Sequence, residues 1–188
     1  RRQDVQALTD SILADYQRPA AGKARQRQDP DRQQGDKEAM QLVVRCDSVD
    51  GVVAAADQGA DVIIFGGESY HHHPFGTKNW QAAVQAAHEQ GAALWAGTPR
   101  IVREENRLVV QNELERAITA GVDGIYAGAM AVFAMIADLN ITVPVRADWS
   151  LNIFNSQAAR AYASLGCTAI TASIEATLRQ LKEMVRQS

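Results

Sequence analysis

Polar residues that could do chemistry follow an apolar segment near the C-terminus. In VRADWSLNIFNSQAA, residues 145–159, Asp148 ends the apolar run, and Asn152 and Asn155 follow it. A carboxylate in such a place can act as a general acid or base if its surroundings keep a proton near it. It can equally accept hydrogen bonds from the next turn or pair with Arg100, because buried acids are usually paired. Both interpretations of Asp148 stay open here.

Four other polar residues are candidate substrate ligands. Asn155 is most simply a helix N-cap, whereas the amide of Asn152 could hold a loop or donate to a substrate carbonyl. Arg100 could bind a carboxylate or phosphate through two parallel N–H donors, or form an ion pair with Asp148 or Glu175. Glu175 is expected to open the last helix, where a carboxylate complements the helix dipole.

Three adjacent histidines, residues 71–73, follow Glu68 closely. Neighbouring histidines in an extended loop point in different directions, and structural zinc sites favour spaced pairs, so we expect no metal site. A surface loop is the simplest interpretation. The functional alternative is one imidazole acting as acid, base or ligand at the barrel mouth, with Glu68 nearby. We name His72 as the candidate substrate-binding residue and Glu68 as a candidate catalytic residue.

Composition excludes several classes of protein. The 188 residues are 46% hydrophobic and 22% charged, with a formal net charge of −3, which gives no bulk attraction to nucleic acid or anionic membrane. No apolar run is long enough to span a membrane, so no membrane partner is expected. Cys46 and Cys167 form no CxxC pair and cannot supply the four ligands of a zinc or iron–sulfur site. We interpret them as buried reduced thiols of a cytoplasmic protein.

A strand–helix rhythm from Gln41 onward must position these residues. Six short apolar segments each precede a helical pattern: QLVVRCD, ADVIIFGG, AALWAGTPRI, DGIYAGA, VPVRAD and CTAITAS. Four of the helical patterns end at a glycine: Gly59, Gly91, Gly121 and Gly166. Continuously apolar strands are typical of a parallel sheet buried on both faces. A doubly wound sheet and a (β/α) barrel two units short both fit, although no GxGxxG follows the first strand.

Both architectures place function at the carboxyl ends of the strands. The residues at those ends are Arg45, Asp47, Gly66, Gly67, Glu68, Thr98, Pro99, Arg100, Gly128, Asp148, Asn152, Asn155, Ser173 and Glu175.

The N-terminal segment differs in character from the rest. Residues 1–17 predict a short amphipathic helix, and residues 18–40 predict a polar linker with mixed charges and no aromatic residue. We therefore divide the chain into residues 1–40 and a barrel fragment, residues 41–188. Because the chain does not begin with Met, we expect it to be a piece of a longer one.

Several motifs resemble peptidase family U32, the collagenase-like peptidases. They are GADVIIFGGESY followed by Asn79-Trp80, AHEQGAALWAGTPRI, GVDGIYAGAMAVF, and VRADWSLNIFNSQAARAYASLGCTAITASIEATLRQL. The resemblance covers about residues 41–182 and is greatest to the C-terminal repeat of long bacterial members. It implies a TIM-barrel-like fold and, as partner, a first barrel in the same parent chain.

The resemblance implies two different activities. Some family members are called collagenase-like proteases, with no agreed catalytic residues. Others support hydroxylation of RNA or of the ubiquinone ring with a cysteine-held iron–sulfur cluster. Cys46 and Cys167 do not match that cysteine group, so we expect no cofactor in this fragment and a cluster, if any, elsewhere in the parent chain. The family's usual arginine after the second strand is absent, and residues 71–73 occupy that region.

Two functional hypotheses follow. The first is a U32-type peptidase domain with Glu68 and Asp148 as catalytic residues and a peptide as substrate. The second is a non-catalytic repeat that binds substrate, including RNA, for the first barrel. No Ser-His-Asp or Cys-His spacing supports a nucleophile, and Ser150 and Ser156 lie outside any G-x-S-x-G motif, so the peptidase hypothesis comes from the resemblance alone. An incomplete barrel has open edges, which predicts self-association there or cover by the N-terminal helix.

Overall fold

The computed structural model describes residues 40–67 and 74–187, and Met40–Ser188 form one unit. Strands and helices alternate along it: β1 (Val43–Cys46), α1 (Val49–Asp57), β2 (Val62–Gly66), α2 (Thr77–Glu89), β3 (Ala93–Gly97), α3 (Arg107–Ala120), β4 (Gly124–Ala127), α4 (Met130–Asp138), β5 (Val145–Ala147), α5 (Ser156–Ser164), β6 (Cys167–Ile170) and α6 (Leu178–Gln187). Two 3₁₀ turns, Glu104–Asn106 and Trp149–Leu151, follow β3 and β5. The predicted helix over residues 1–17 and the linker up to residue 39 lie outside the described residues.

The six strands form one parallel sheet in the order β1-β2-β3-β4-β5-β6. Each strand lies beside the next in the chain, as in a barrel rather than a doubly wound sheet, which would reverse its order part way. Within the described residues β1 and β6 do not pair, so the sheet is open. The prediction of an incomplete parallel α/β barrel is confirmed.

The outer face of the sheet holds the main hydrophobic core. Ile63 and Phe65 on β2, Leu94 on β3 and Ile125 on β4 are fully buried against the surrounding helices. Alternate residues of a strand point to opposite faces, so this set leaves the intervening residues for the inner face. None of the helices in residues 40–67 and 74–187 is long and apolar enough to cross a membrane.

Helix ends are formed by the residues that the sequence marks for them. The Ser48 hydroxyl accepts the Gly51 N–H at 3.2 Å at the start of α1, and the Asn155 side chain accepts the Ala158 N–H at 2.9 Å at the start of α5. Gly121 ends α3 with a φ of 92°, a left-handed conformation that glycine adopts without a Cβ clash. These caps set where each chain segment turns back toward the sheet.

The inner face carries a smaller cluster around the indole of Trp95. Val62, Ile64, Trp95 and Tyr126 pack together there, and the Trp95 and Tyr126 rings meet edge to face at 5.8 Å. The indole lies across Gly124 on the neighbouring strand, because a Cβ at that position would fall 2.5 Å from the ring. The guanidinium carbon of Arg146 on β5 lies 4.2 Å from the ring centroid, in a cation–π contact. A glycine on β4 therefore lets β3 and β5 touch above it.

We predict that Gly124→Ala destabilises the fold by about 1–3 kcal/mol, because the added methyl group displaces the Trp95 ring from its contacts. Urea unfolding followed by circular dichroism measures the loss. The control is Gly76→Ala, where a Cβ would make an ordinary 3.5 Å contact with the Asn79 side chain, and we expect it to cost less than about 1 kcal/mol. Equal losses in the two variants would contradict this account of Trp95 packing.

Candidate functional site

The carboxyl ends of β1, β3 and β5 bring four side chains together, which we name the mouth cluster: Arg45, Arg100, Asp148 and Trp149. Arg45 Nη2 donates to Asp148 Oδ2 at 2.6 Å, and Asp148 Oδ1 accepts the Trp149 N–H at 2.8 Å. The Arg100 guanidinium carbon lies 5.2 Å from the Trp149 ring centroid. Contacts thus connect all four, although they are up to about a hundred residues apart in the chain.

Burial differs sharply between the two partners of the ion pair. The Asp148 side chain is 3% exposed, whereas that of Arg45 is 35% exposed. Removing a carboxylate from water is costly unless charge and hydrogen bonds compensate, and here both oxygens have a donor. The geometry is the one expected for a structural pair that fixes the position of Arg45. The guanidinium, not the carboxylate, is the group that solvent and ligands can reach.

Hydrogen bonds between strand exits make the floor of the mouth. Thr98, which is buried, donates its hydroxyl to the Tyr126 carbonyl at 3.2 Å and accepts the Gly128 N–H at 2.8 Å. Ser150 donates its hydroxyl to the Gly128 carbonyl at 2.8 Å. A Cβ on Gly128 would lie 2.7 Å from the Thr98 carbonyl oxygen, so the exits of β3 and β4 touch backbone to backbone. The Ser150 hydroxyl thus takes part in the floor of the mouth.

The two asparagines after β5 have local structural roles. Asn152 ends the 3₁₀ turn with a φ of 52°, a left-handed conformation that asparagine tolerates better than most residues. Asn155 caps α5, so the N-cap interpretation is confirmed. The Asn152 side chain is exposed beside the mouth cluster in sequence, and its substrate-binding role stays a prediction.

Glu175 lies in the connection between β6 and α6, and its side chain is exposed. The prediction that it opens the last helix is wrong, since α6 begins at Leu178. Thr177 and Gln180 form the helix start instead: the Gln180 Oε1 accepts the Thr177 N–H at 2.8 Å, and the Thr177 hydroxyl accepts the Gln180 N–H. This capping box satisfies two N–H groups at once, which a carboxylate two residues earlier cannot do.

Two predicted site residues lie outside the described residues. Glu68 and His72 belong to the segment 68–73 after β2. Their roles as catalytic and substrate-binding residues stay predictions.

Sequence reasoning missed Glu113 on α3, whose carboxylate is largely buried behind the exit of β3. Burial raises the pKa of Glu113, although the Phe75 N–H, which it accepts at 3.2 Å, and Arg116 both oppose that rise. A cavity of about 10 Å³, enough for one water, lies between Glu113 and Trp80. The Trp80 Nε1 is buried and has no hydrogen-bond partner in the part of the chain that the structure describes.

A signal for Glu113 was present in the sequence. Val110, Leu114 and Ala117 are the buried residues of α3, and position 113 falls on the same helical face. A charged residue on an apolar helical face is a marker of an unusual environment.

Neither cysteine is fully buried, contrary to our expectation, because each lies on an edge strand of the sheet: Cys46 on β1 and Cys167 on β6. Burial raises the pKa of both thiols, and at Cys46 the charge of Asp47 adds to the effect. Within residues 40–67 and 74–187, no three His, Cys, Asp or Glu side chains converge as metal ligands would.

The fold and the mouth together define a class: a parallel (β/α) barrel-like domain whose polar residues gather at the carboxyl ends of its strands. The family model of peptidase family U32 matches residues 47–188, and the chain belongs to that family. No curated protein matches the chain.

Several solved structures share the fold at low sequence identity. DHDPS from Cyanidioschyzon merolae has a TM-score of 0.56 at 15% identity, with 79% of this chain and 60% of that one covered. Phosphonopyruvate hydrolase has a TM-score of 0.54 at 14% identity, covering 78% and 57%. KD(P)GA from T. tenax has a TM-score of 0.51 at 14% identity, covering 79% and 59%. The chain thus spans about three-fifths of the length of these TIM-barrel-like structures, which are similar to it in fold alone.

We predict that Arg45→Met destabilises the fold by about 2–4 kcal/mol, because it leaves the Asp148 carboxylate buried without a counter-charge. Asp148→Asn should cost less, since the Arg45 side chain left behind is partly exposed. The double variant Arg45→Met/Asp148→Asn should be more stable than Arg45→Met alone. Urea unfolding of all four proteins gives the coupling energy, and simple additivity would show that the pair contributes nothing to the fold.

A second prediction concerns the pH dependence of stability. The raised pKa of Glu113 means that the folded chain keeps this proton at pH values where the unfolded chain, with an ordinary pKa of 4.5, has lost it. Stability therefore falls as pH rises through that interval. Glu113→Gln keeps an acceptor for Phe75 but cannot ionise, so it should be more stable than the parent chain at neutral pH. The advantage should disappear below the ordinary pKa.

Urea midpoints across a pH series measure this difference. The control is Glu115→Gln, which removes an exposed carboxylate from the same helix and should change stability little. A Glu113→Gln advantage that does not depend on pH would rule out proton linkage as its cause.

Proposed function

We propose that this chain is a substrate-binding barrel domain of a U32-type peptidase, in which Arg45 binds an anionic group of a peptide. One observation carries the proposal: Asp148 is buried and Arg45 is accessible within the same 2.6 Å ion pair. The substrate class proposed is a peptide with a free carboxylate, either at its C-terminus or on an acidic side chain.

We choose Arg45 rather than Asp148 as the substrate contact because a substrate can approach the Arg45 side chain more closely. A general acid or base must come within about 2.6–3.2 Å of the proton that it transfers. The Asp148 carboxylate is enclosed by donors from β1 and from its own turn, so a substrate would first have to break the ion pair. We therefore propose that Asp148 acts as a positioning residue. It holds one edge of the guanidinium, and the remaining N–H donors serve the ligand.

Arg100 provides a second guanidinium at the same end of the barrel. Its guanidinium carbon lies within cation–π distance of the Trp149 ring, and the Trp149 N–H is itself bonded to Asp148. Planar guanidinium groups recognise carboxylates by paired N–H donors, with better geometry than lysine can offer. The accessible guanidinium of Arg45 therefore favours a ligand with at least one carboxylate.

We also propose candidate residues for cleavage of the bound peptide. Glu68, which follows β2 in the chain, is our candidate for the acid or base. Asp148, a positioning residue while it is paired with Arg45, is the second candidate if that pair opens when substrate binds. If neither residue is needed, the domain binds peptide for chemistry that takes place elsewhere in a parent chain.

Binding is tested with fluorescent peptides that differ in charge alone. An Asp- and Glu-containing peptide should bind, whereas its Asn- and Gln-containing counterpart with an amidated C-terminus should not. We expect Arg45→Met to weaken binding about tenfold or more, since a charge-assisted pair is worth at least about 1.4 kcal/mol. Arg45→Lys should recover only part of the loss because it cannot form the paired contact.

The matched control is Arg103→Met, which removes an exposed arginine beyond the same strand exit as Arg100. Binding that survives Arg45→Met but falls in Arg103→Met would overturn the proposed site. An RNA oligonucleotide of similar charge is the comparison ligand. Tighter Arg45-dependent binding of RNA than of the acidic peptide would replace the peptide proposal by the RNA-binding alternative.

Cleavage of the same acidic peptide, followed by mass spectrometry, tests the catalytic candidates. We expect Glu68→Gln to abolish any cleavage and Asp148→Asn to reduce it mainly through weaker binding. Cleavage unchanged in both variants would remove both residues from the catalytic assignment.

A further inference from the structure

Inner-face residues of β3 and β5 form two layers, one at the mouth and one beneath it. Alternate residues of a strand share a face, so Trp95 comes one inner-face step before Gly97, and Arg146 comes one such step before Asp148. In the layer at the mouth, Arg45 bonds to Asp148. In the layer beneath, the Arg146 guanidinium carbon lies 4.2 Å from the Trp95 ring centroid. The two arginines thus belong to neighbouring layers of one face.

Glycines lie between the aromatic rings of the deeper layer and the mouth. Trp95 and Tyr126, on neighbouring strands, meet edge to face at 5.8 Å. The next inner-face positions toward the mouth are Gly97 on β3 and Gly128, which directly follows β4. Neither position carries a side chain, so β3 and β4 place only backbone between the rings and the mouth. Side chains of these two strands therefore do not separate the deeper layer from a ligand bound at Arg45.

Arg146 is a cation without an anionic partner. It is partly exposed, and it forms no ion pair or hydrogen bond with any residue in the part of the chain that the structure describes. Asp148, the next inner-face residue on the same strand, already accepts from Arg45 and from the Trp149 N–H. The contact of Arg146 with Trp95 uses its charge but none of its N–H groups, so these donors remain for a ligand.

The Tyr126 hydroxyl is a second donor beside Arg146. The two residues are register partners on β4 and β5, so their side chains are neighbours on the inner face. Tyr126 is buried as a whole, and buried tyrosines usually bond through the hydroxyl. Here the hydroxyl has no hydrogen-bond partner among the described residues and is not enclosed by them. A charged donor and a neutral one therefore lie side by side, an arrangement suited to a carboxylate.

We propose that Arg146 and the Tyr126 hydroxyl bind a second carboxylate of the ligand that Arg45 binds, so that the domain selects peptides that end in glutamate. This inference rests on the proposed function. Residues two apart on a strand are about 7 Å apart, so the two anion positions are close together. Neighbouring side chains of an extended peptide point to opposite sides, whereas a C-terminal glutamate carries two carboxylates on one residue. Its α-carboxylate meets Arg45, and its side chain extends past Gly97 to Arg146.

Four fluorescent peptides with otherwise identical, uncharged sequences separate the two carboxylates. The last residue is Glu or Gln, and the C-terminus is either free or amidated. Each peptide is titrated with the full chain and with its Arg45→Met and Arg146→Met variants, and fluorescence anisotropy gives the affinity. For the parent chain we expect the peptide with both carboxylates to bind about tenfold or more tightly than either peptide with one, because each carboxylate has its own guanidinium.

The variants assign each carboxylate to one arginine. Arg146→Met should abolish the preference for Glu over Gln but keep the preference for a free C-terminus, and Arg45→Met should do the reverse. Because one preference survives in each variant, the binding data themselves show that the variant is folded. Tyr126→Phe keeps the ring against Trp95 and should reduce the Glu preference about threefold. Arg107→Met is the control, since it removes an exposed arginine of α3 that pairs with Asp138, and it should change no affinity.

Failure of the second anion position can be told apart from failure of the proposed function. If Arg45→Met abolishes the preference for a free C-terminus while Arg146→Met keeps the Glu preference, the second position is overturned and the proposed function stands. An Arg146→Met loss that is equal for all four peptides would indicate a structural role and would also overturn it. If Arg45→Met changes no affinity, the proposed function fails, and a Glu preference that still depends on Arg146 would support this position by itself.

Discussion

The Arg45–Asp148 ion pair is the constraint on which the described structure depends. A carboxylate at the end of a buried strand must have a partner, and here the partner comes from β1, four strands away in the sheet. The pair connects side chains from strands four places apart in the sheet and leaves the Arg45 guanidinium accessible. Structure and candidate function therefore share one interaction, because the residue that balances the buried charge is also the one that can meet a ligand.

The two faces of the sheet are packed by different kinds of side chain. The outer face is apolar and packs against helices, as in other parallel sheets, so hydrophobic burial alone accounts for it. The inner face mixes aromatic rings, a glycine and charged groups, and its packing depends on the indole of Trp95 lying across Gly124 to reach Arg146. The chain belongs to peptidase family U32, and the similar solved structures share its fold alone.

Most elements could be predicted from local patterns because each pattern has a local cause. Apolar β-branched runs form strands, Ser48 and Asn155 cap helices, and glycines end them with positive φ. Glu175 shows where such reasoning fails. Two signals competed for one helix start, and the capping box of Thr177 and Gln180 satisfies more backbone groups than a carboxylate near the helix dipole. Glu113 was missed because a single charge on an apolar face was given no weight.

The amino-acid sequence by itself determined the strand–helix alternation, the parallel sheet, the family and the end of the barrel at which polar residues gather. Only the tertiary structure decided that Asp148 pairs with Arg45, that Arg146 stacks on Trp95, and that Asp148 is enclosed while Arg45 is accessible. The physical reason is the distance along the chain over which each kind of interaction acts. Strand, cap and turn preferences act over a few residues, whereas the partner of a buried charge depends on which distant strands curvature brings face to face.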